Sequence, residues 1–226
     1  MNSIIKPQHG EAPALKTMQR VLLICGVISS LFYIGSDIFA AMQWEGYSYT
    51  SQAFSELLAV GAPTRSLMLP LSFIYNIFVI AFALGIRTAD KQKRALRFTG
   101  ILLIGYAIVG IVTPLFFPMH LRGAEATISD TMHIILTGVT VLFILLSIGF
   151  GAGAHGKRFR LYSIGTVAII LLFGALAGMD GPRVAAQLPT PWLGIKERIN
   201  IYGYMLWVMV LAIARLRAES EIRWKK

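Results

Sequence analysis

The run Asp130-Thr131-Met132-His133 carries the most chemical potential in this sequence. An aspartate and a histidine three residues apart share one face of a helix. There the carboxylate can orient or charge the imidazole. Asp130 also stands at a helix start, where the macrodipole favours a negative charge. His120 closes the preceding apolar stretch and can approach from the facing helix. Two histidines with one or two carboxylates can ligate zinc, relay a proton, or hold a lipid phosphate beside Arg122 or Arg198. They can equally be a helix-terminal charge and a structural histidine in an interhelical hydrogen bond, and the spacing matches no metal-ligand signature. A second pair, Glu197-Arg198, opens the last apolar stretch. Adjacent helical positions point about 100° apart, so each residue is expected to look elsewhere. The Glu would seek an arginine on another helix; the Arg would reach phosphate or snorkel to the membrane surface. Asp37 lies near the end of the first apolar stretch. Ser55-Glu56, in the connection after it, reads either as a lid over such a site or as a solvated turn.

These residues must be positioned by the six long apolar stretches that dominate the chain: Val21–Ala41, Ser66–Ile86, Phe98–Phe117, Met132–Gly153, Leu161–Met179 and Ile199–Leu216. At about 1.5 Å rise per residue, about 20 apolar residues cross a hydrocarbon core of about 30 Å. A chain of 226 residues with 56% hydrophobic content cannot bury six such segments in water. The expected fold is therefore all-α, a polytopic six-helix transmembrane bundle. Short turns use up the remainder, leaving no room for a soluble catalytic module. The expected division is a flexible tail over 1–17, the six-helix domain over 18–216 and a basic tail over 217–226 lying along the membrane surface.

The net charge of +10 follows topology. Alternating the connections between two sides puts 16 of the 21 Lys and Arg on one side, leaving Arg65, Arg122, Arg183, Lys196 and Arg198 on the other. The positive-inside bias then makes both termini cytoplasmic. The basic excess faces anionic headgroups, which argues against a nucleic-acid partner. The first stretch is too long for a signal-peptide core of about 7–15 residues. The single Cys25 excludes a disulfide framework and a thiolate metal site. The expected location is a bacterial inner membrane.

Within the first outer connection, 51–60 is expected to form a short helix capped by Thr50 or Ser51 and ended by Gly61 and Pro63. Trp44, Tyr47 and Tyr49, and later Trp192, suit an interfacial aromatic belt. Polar side chains recur at helical spacing inside the spans, as in Ser29, Tyr33, Ser36 and Asp37 of the first, and should face the bundle interior. Seven of the 11 acids fall outside or in the outer halves of the spans. This bias predicts a polar, outward-opening cavity with Asp37, Glu56, His120, Asp130, His133, Glu197 and Arg198 as ligand-binding residues.

Ser55-Glu56-Leu57 with Gly61-Ala62-Pro63, Phe117-Pro118 closing the third span, His133 opening the fourth, and Glu197-Arg198 with Trp207 give the chain a family likeness. Over about Val21–Arg215 it resembles the bacterial integral-membrane family catalogued as domain of unknown function 998. The resemblance implies a multi-helix inner-membrane protein and supplies no reaction. Family members often carry an acid soon after the proline where this chain has Met119-His120. More distantly, Ser55, Asp130, His120 and His133 supply part of the serine, aspartate and three-histidine zinc set of membrane hydrolases that resemble alkaline ceramidases. No paired histidines four apart appear in the last span.

The reading is a binding or sensing protein for a lipid headgroup or small amphiphile, with membrane lipids as partners, no nucleic acid and no cofactor. The alternatives are a metal-assisted membrane hydrolase acting on lipid and a small-solute transporter.

Overall fold

The computed structural model describes residues 13–89 and 93–224. Apolar periodicity and chain punctuation set its helices: α1 Pro13–Met42, α2 Arg65–Ala89, α3 Arg94–Phe116, α4 Ile128–Gly151, α5 Gly156–Gly178, a short α6 Gly181–Ala185, and α7 Leu193–Trp224. All but α6 are long and apolar enough to cross a membrane. The all-α, six-span expectation therefore holds. Pro13 starts α1 at a position where its missing N–H costs nothing. Pro118 stands two residues beyond the end of α3, and the residue before a proline is disfavoured in a helix.

Three local expectations need correction. The segment read as a flexible tail, 1–17, is already helical from Pro13, and residues 1–12 lie outside the described residues. α7 continues unbroken to Trp224, so 217–224 is a continuation of the last helix and not a separate tail; 225–226 lie outside the described residues. The expected helix over 51–60 is a single 3-10 turn, Phe54–Leu58, with Ala53 at its N-cap. Glu56 replaces the expected Thr50 or Ser51 cap by reaching back to the Ala53 N–H at 2.8 Å.

The long helices form an arc in the spatial order α4, α3, α2, α1, α7, α5. The sequence neighbours α4 and α5 barely touch. Glycine permits a close approach of α1 and α2: a Cβ at Gly85 would lie 2.9 Å from Leu22 Cβ and 3.2 Å from Leu23 N. Small residues are what membrane helices use to pack, because lipid removes the hydrophobic drive between them. The outward faces carry Leu31, Ile134, Leu161 and other exposed apolar side chains, the surface lipid would cover.

A column of aromatic rings runs through the core. Phe54 stacks on Tyr33 at 4.9 Å, and Tyr33, Tyr75, Tyr106, Tyr204 and Trp207 follow at centroid spacings of 4.8, 6.5, 5.2 and 6.3 Å. Phe159 and His155 continue it to the α4–α5 turn. Tyr75 and Tyr106 share a 2.8 Å hydrogen bond, and Trp207 Nε1 donates to Ser163 Oγ at 2.9 Å. Buried phenols and indoles need such partners.

Candidate functional site: the ion-paired cap

One end of the bundle is covered by the connection 43–64, which we call the cap. The last two turns of α1 bring Asp37 to its underside, and the first two turns of α7 bring Arg198 opposite. Both are buried, at 0% and 3% exposure. The guanidinium grips the carboxylate with two bonds, Nε to Oδ2 and Nη2 to Oδ1, each 2.8 Å. This fork geometry is the strong form of the contact. The remaining Arg198 donors hold the cap backbone: Nη1 reaches Tyr49 O at 2.9 Å and Gln52 O at 3.2 Å, and Nη2 reaches Tyr47 OH at 2.9 Å. Asp37 Oδ2 also accepts from Tyr49 OH at 3.0 Å and Tyr202 OH at 2.5 Å. The Tyr49 ring lies over the guanidinium, 3.6 Å from its carbon to the ring centroid, a cation–π contact in a desolvated place. Gly194 makes this possible, since any Cβ there would collide with Tyr49 O and Gln52 O.

Beside it, Glu56 accepts from Arg122 Nη2 at 2.7 Å and from Gln52 Nε2 at 3.1 Å as well as from the Ala53 N–H. Arg122 Nη1 continues to Thr190 Oγ1 at 2.7 Å and Nη2 to Ser51 O at 3.1 Å. Glu197 Oε2 accepts the next cap N–H, that of Phe54, at 2.8 Å. Three carboxylates thus face two guanidiniums, and Glu197 has a backbone donor where the sequence suggested an arginine. Burial pushes the Tyr47 phenol up to about 12, against the opposing pull of Arg198. Burial likewise raises Tyr49, with the Tyr202 hydrogen bond opposing. Both therefore stay protonated as donors near neutral pH.

The Asp130 cluster is separate. Its carboxylate accepts from the Thr127 N–H at 2.8 Å, the His120 N–H at 2.7 Å and His120 Nδ1 at 3.0 Å. It is a helix N-terminal charge that also pins the incoming chain. His133 does not pair with it; its Nδ1 donates to Phe117 O at 3.0 Å and ties α4 to the end of α3. The expected Asp130–His133 partnership is replaced because Asp130 turns back toward the N-terminal backbone donors of α4. A parallel bridge between Val60 and His120, with Val60 N–H donating to Met119 O at 2.8 Å, links this region to the cap. Among the described residues no three His, Cys, Asp or Glu converge as a metal would require.

The structure therefore gathers Asp37, Glu56, Glu197 and Arg198 at the cap and leaves His120, Asp130 and His133 beside it. Where sequence reasoning expected a polar cavity, the charged groups are zipped together. The cavity under the cap, between Tyr33, Ser36, Phe54, Leu71, Ser72 and Tyr75, is only about 10 Å³. A wider groove of about 380 Å³ lies on the outside, along Ile38, Ala41 and Met42 of α1 and against Tyr47 and Tyr49. Arg122, Tyr47, Tyr49 and Tyr202 were missing from the expected set. Their signal in the sequence is slight: two tyrosines that also suit an interfacial belt, and an arginine that is one of five basic residues on the basic-poor side.

Fold and cap together define a multi-pass membrane protein of six spanning helices, closed at one end by buried ion pairs. Residues 27–214 match the family model described as "Protein of unknown function (DUF998)", and the chain belongs to that family. No curated protein and no solved structure matches it.

Proposed function

We propose that the protein binds an amphiphile in the groove on the outer side of α1 and senses it through the cap. The cap end then faces the non-cytosolic side of a bacterial inner membrane, with both termini in the cytoplasm, as the distribution of Lys and Arg favours. The observation that carries the reading is Tyr49. It lines the groove and also covers Arg198 while bonding Asp37. An acyl chain would lie along Ile38, Ala41 and Met42, two of which are exposed apolar side chains at the end of a span. Its headgroup would sit on the tyrosine rings at interfacial depth, where such rings favour polar and cationic groups. Displacing Tyr49 would loosen the Asp37–Arg198 grip on the cap backbone, turning occupancy into a change of cap mobility.

The test is labelling of purified protein by a photoactivatable phospholipid, with sites mapped by mass spectrometry. Ala41→Trp fills the groove without touching the ion pairs. Labelling near Met42 and Tyr47 that disappears in A41W supports the reading. Labelling spread evenly over all six helices, or unchanged in A41W, refutes it. Reporter fusions at each end test the orientation independently.

A further inference from the structure

The turn that leads from α1 into the cap carries an acid with no partner. Tyr47 N–H closes this turn on Trp44 O at 3.1 Å, and Gly46 supplies the positive φ, 84°, that the third position of such a turn requires. Glu45 stands at the second position. It is exposed, and among the described residues its carboxylate has no hydrogen-bond or ion-pair partner. Met42, just before the turn, and Tyr47, at its end, both line the groove along α1. Two trans peptide links span at most about 7.6 Å between Cα atoms, so the backbone of Glu45 is held at the mouth of the groove.

The cations at the cap end are engaged by the protein itself. Arg198 holds Asp37, Arg122 holds Glu56 and Lys196 holds Asp180. Arg65 donates to Leu58 O and Pro114 O, and Arg183 donates to Pro189 O. None of them lines the groove. An anionic head would therefore meet the Glu45 carboxylate at the mouth and no cation in the groove wall. An ammonium head would meet that carboxylate and the rings of Tyr47 and Tyr49, whose electron-rich faces attract cations. The Arg198 charge against Tyr49 is matched by Asp37 at 2.8 Å, so that pair is neutral as a unit. Building on the amphiphile reading above, we propose that the groove selects a membrane phospholipid whose head ends in an ammonium, with Glu45 as its counter-charge and Tyr47 and Tyr49 as its aromatic wall.

The probes are three photoactivatable phospholipids with identical acyl chains, whose heads end in a primary ammonium, a trimethylammonium or an uncharged glycerol. The glycerol lipid is a net anion through its phosphate. Each is crosslinked to the full chain in detergent, and label within 42–49 is measured. Both ammonium heads are expected to label the groove about tenfold more than the glycerol head, the size of one exposed ion pair with one cation–π contact. Glu45→Gln should cut that ratio by about threefold, and Glu45→Lys should invert it. Glu45 has no partner in the fold, so neither change strands another group. Glu125→Gln removes another exposed, unpartnered acid, on the connection after α3, and should leave the ratio as it was. Equal groove labelling by all three heads, or a ratio that E125Q lowers as far as E45Q does, overturns the proposal while the amphiphile reading stands. No groove labelling by any of the three overturns both.

Discussion

Asp37–Arg198 and Asp130–His120 are the same kind of contact in two settings. The first is buried at 0% and 3% exposure and its arginine holds three cap residues, Tyr47, Tyr49 and Gln52. The second keeps 20% and 29% exposure, and its aspartate is already satisfied by backbone donors of its own helix start. The difference teaches what each is for. A buried pair leaves an uncompensated charge when one partner goes, which is expensive. A half-exposed pair hands its charge to water, which is cheap. The cap is therefore fastened at Asp37 and merely aligned at Asp130.

The comparison breaks most visibly at Asp37. Asp37→Ala is expected to cost about 3–5 kcal/mol by stranding Arg198, measured as loss of Tm and of monodisperse protein in detergent. Arg198→Lys should recover little of the two-point grip, since an ammonium cannot fork a carboxylate. Glu56→Gln should fall between the two settings, at about 1–3 kcal/mol. Glu56 is buried but its partner Arg122 is 22% exposed. Its signature is faster hydrogen exchange and proteolysis confined to 43–64. Asp130→Ala should cost about 1 kcal/mol, the price of a lost helix cap. His120→Ala should cost less than about 1 kcal/mol, and neither should alter cap exchange. An equal loss for Asp37→Ala and His120→Ala would erase the distinction.

The opposite end of the bundle supplies a pH control. Burial first, then the charges of Arg215 and Lys93, holds His155 at about 4, below its ordinary 6.5. Between these values the unfolded chain binds more protons than the folded one, so stability falls as pH drops from about 6.5 to about 4. Melts at about pH 7 and about pH 5 should differ in the native chain, and the difference should shrink in His155→Gln while the cap variants keep it.

The spans were legible because a bilayer demands about 20 apolar residues at a time and punctuates them with charge. The gathering of acids at one end was legible too, since polar groups avoid lipid. Their partners were not. Asp37 and Arg198 are 161 residues apart, and nothing in either neighbourhood names the other. Asp130 and His133 share a helix face, yet local backbone donors at Thr127 and His120 outcompete the imidazole for the carboxylate. Tyr49 read as an interfacial anchor because its neighbours Trp44 and Tyr47 read so; only the approach permitted by Gly194 places it over a guanidinium.

The ring column from Phe54 to Trp207 gives the molecule an internal optical reporter. Trp207 is wholly enclosed, and four phenols stand in line behind it at van der Waals range. Light absorbed by those phenols should pass by resonance to the indole and emerge as blue-shifted emission. A disturbance at the lid would then dim a fluorophore half a bilayer away, without any dye being attached.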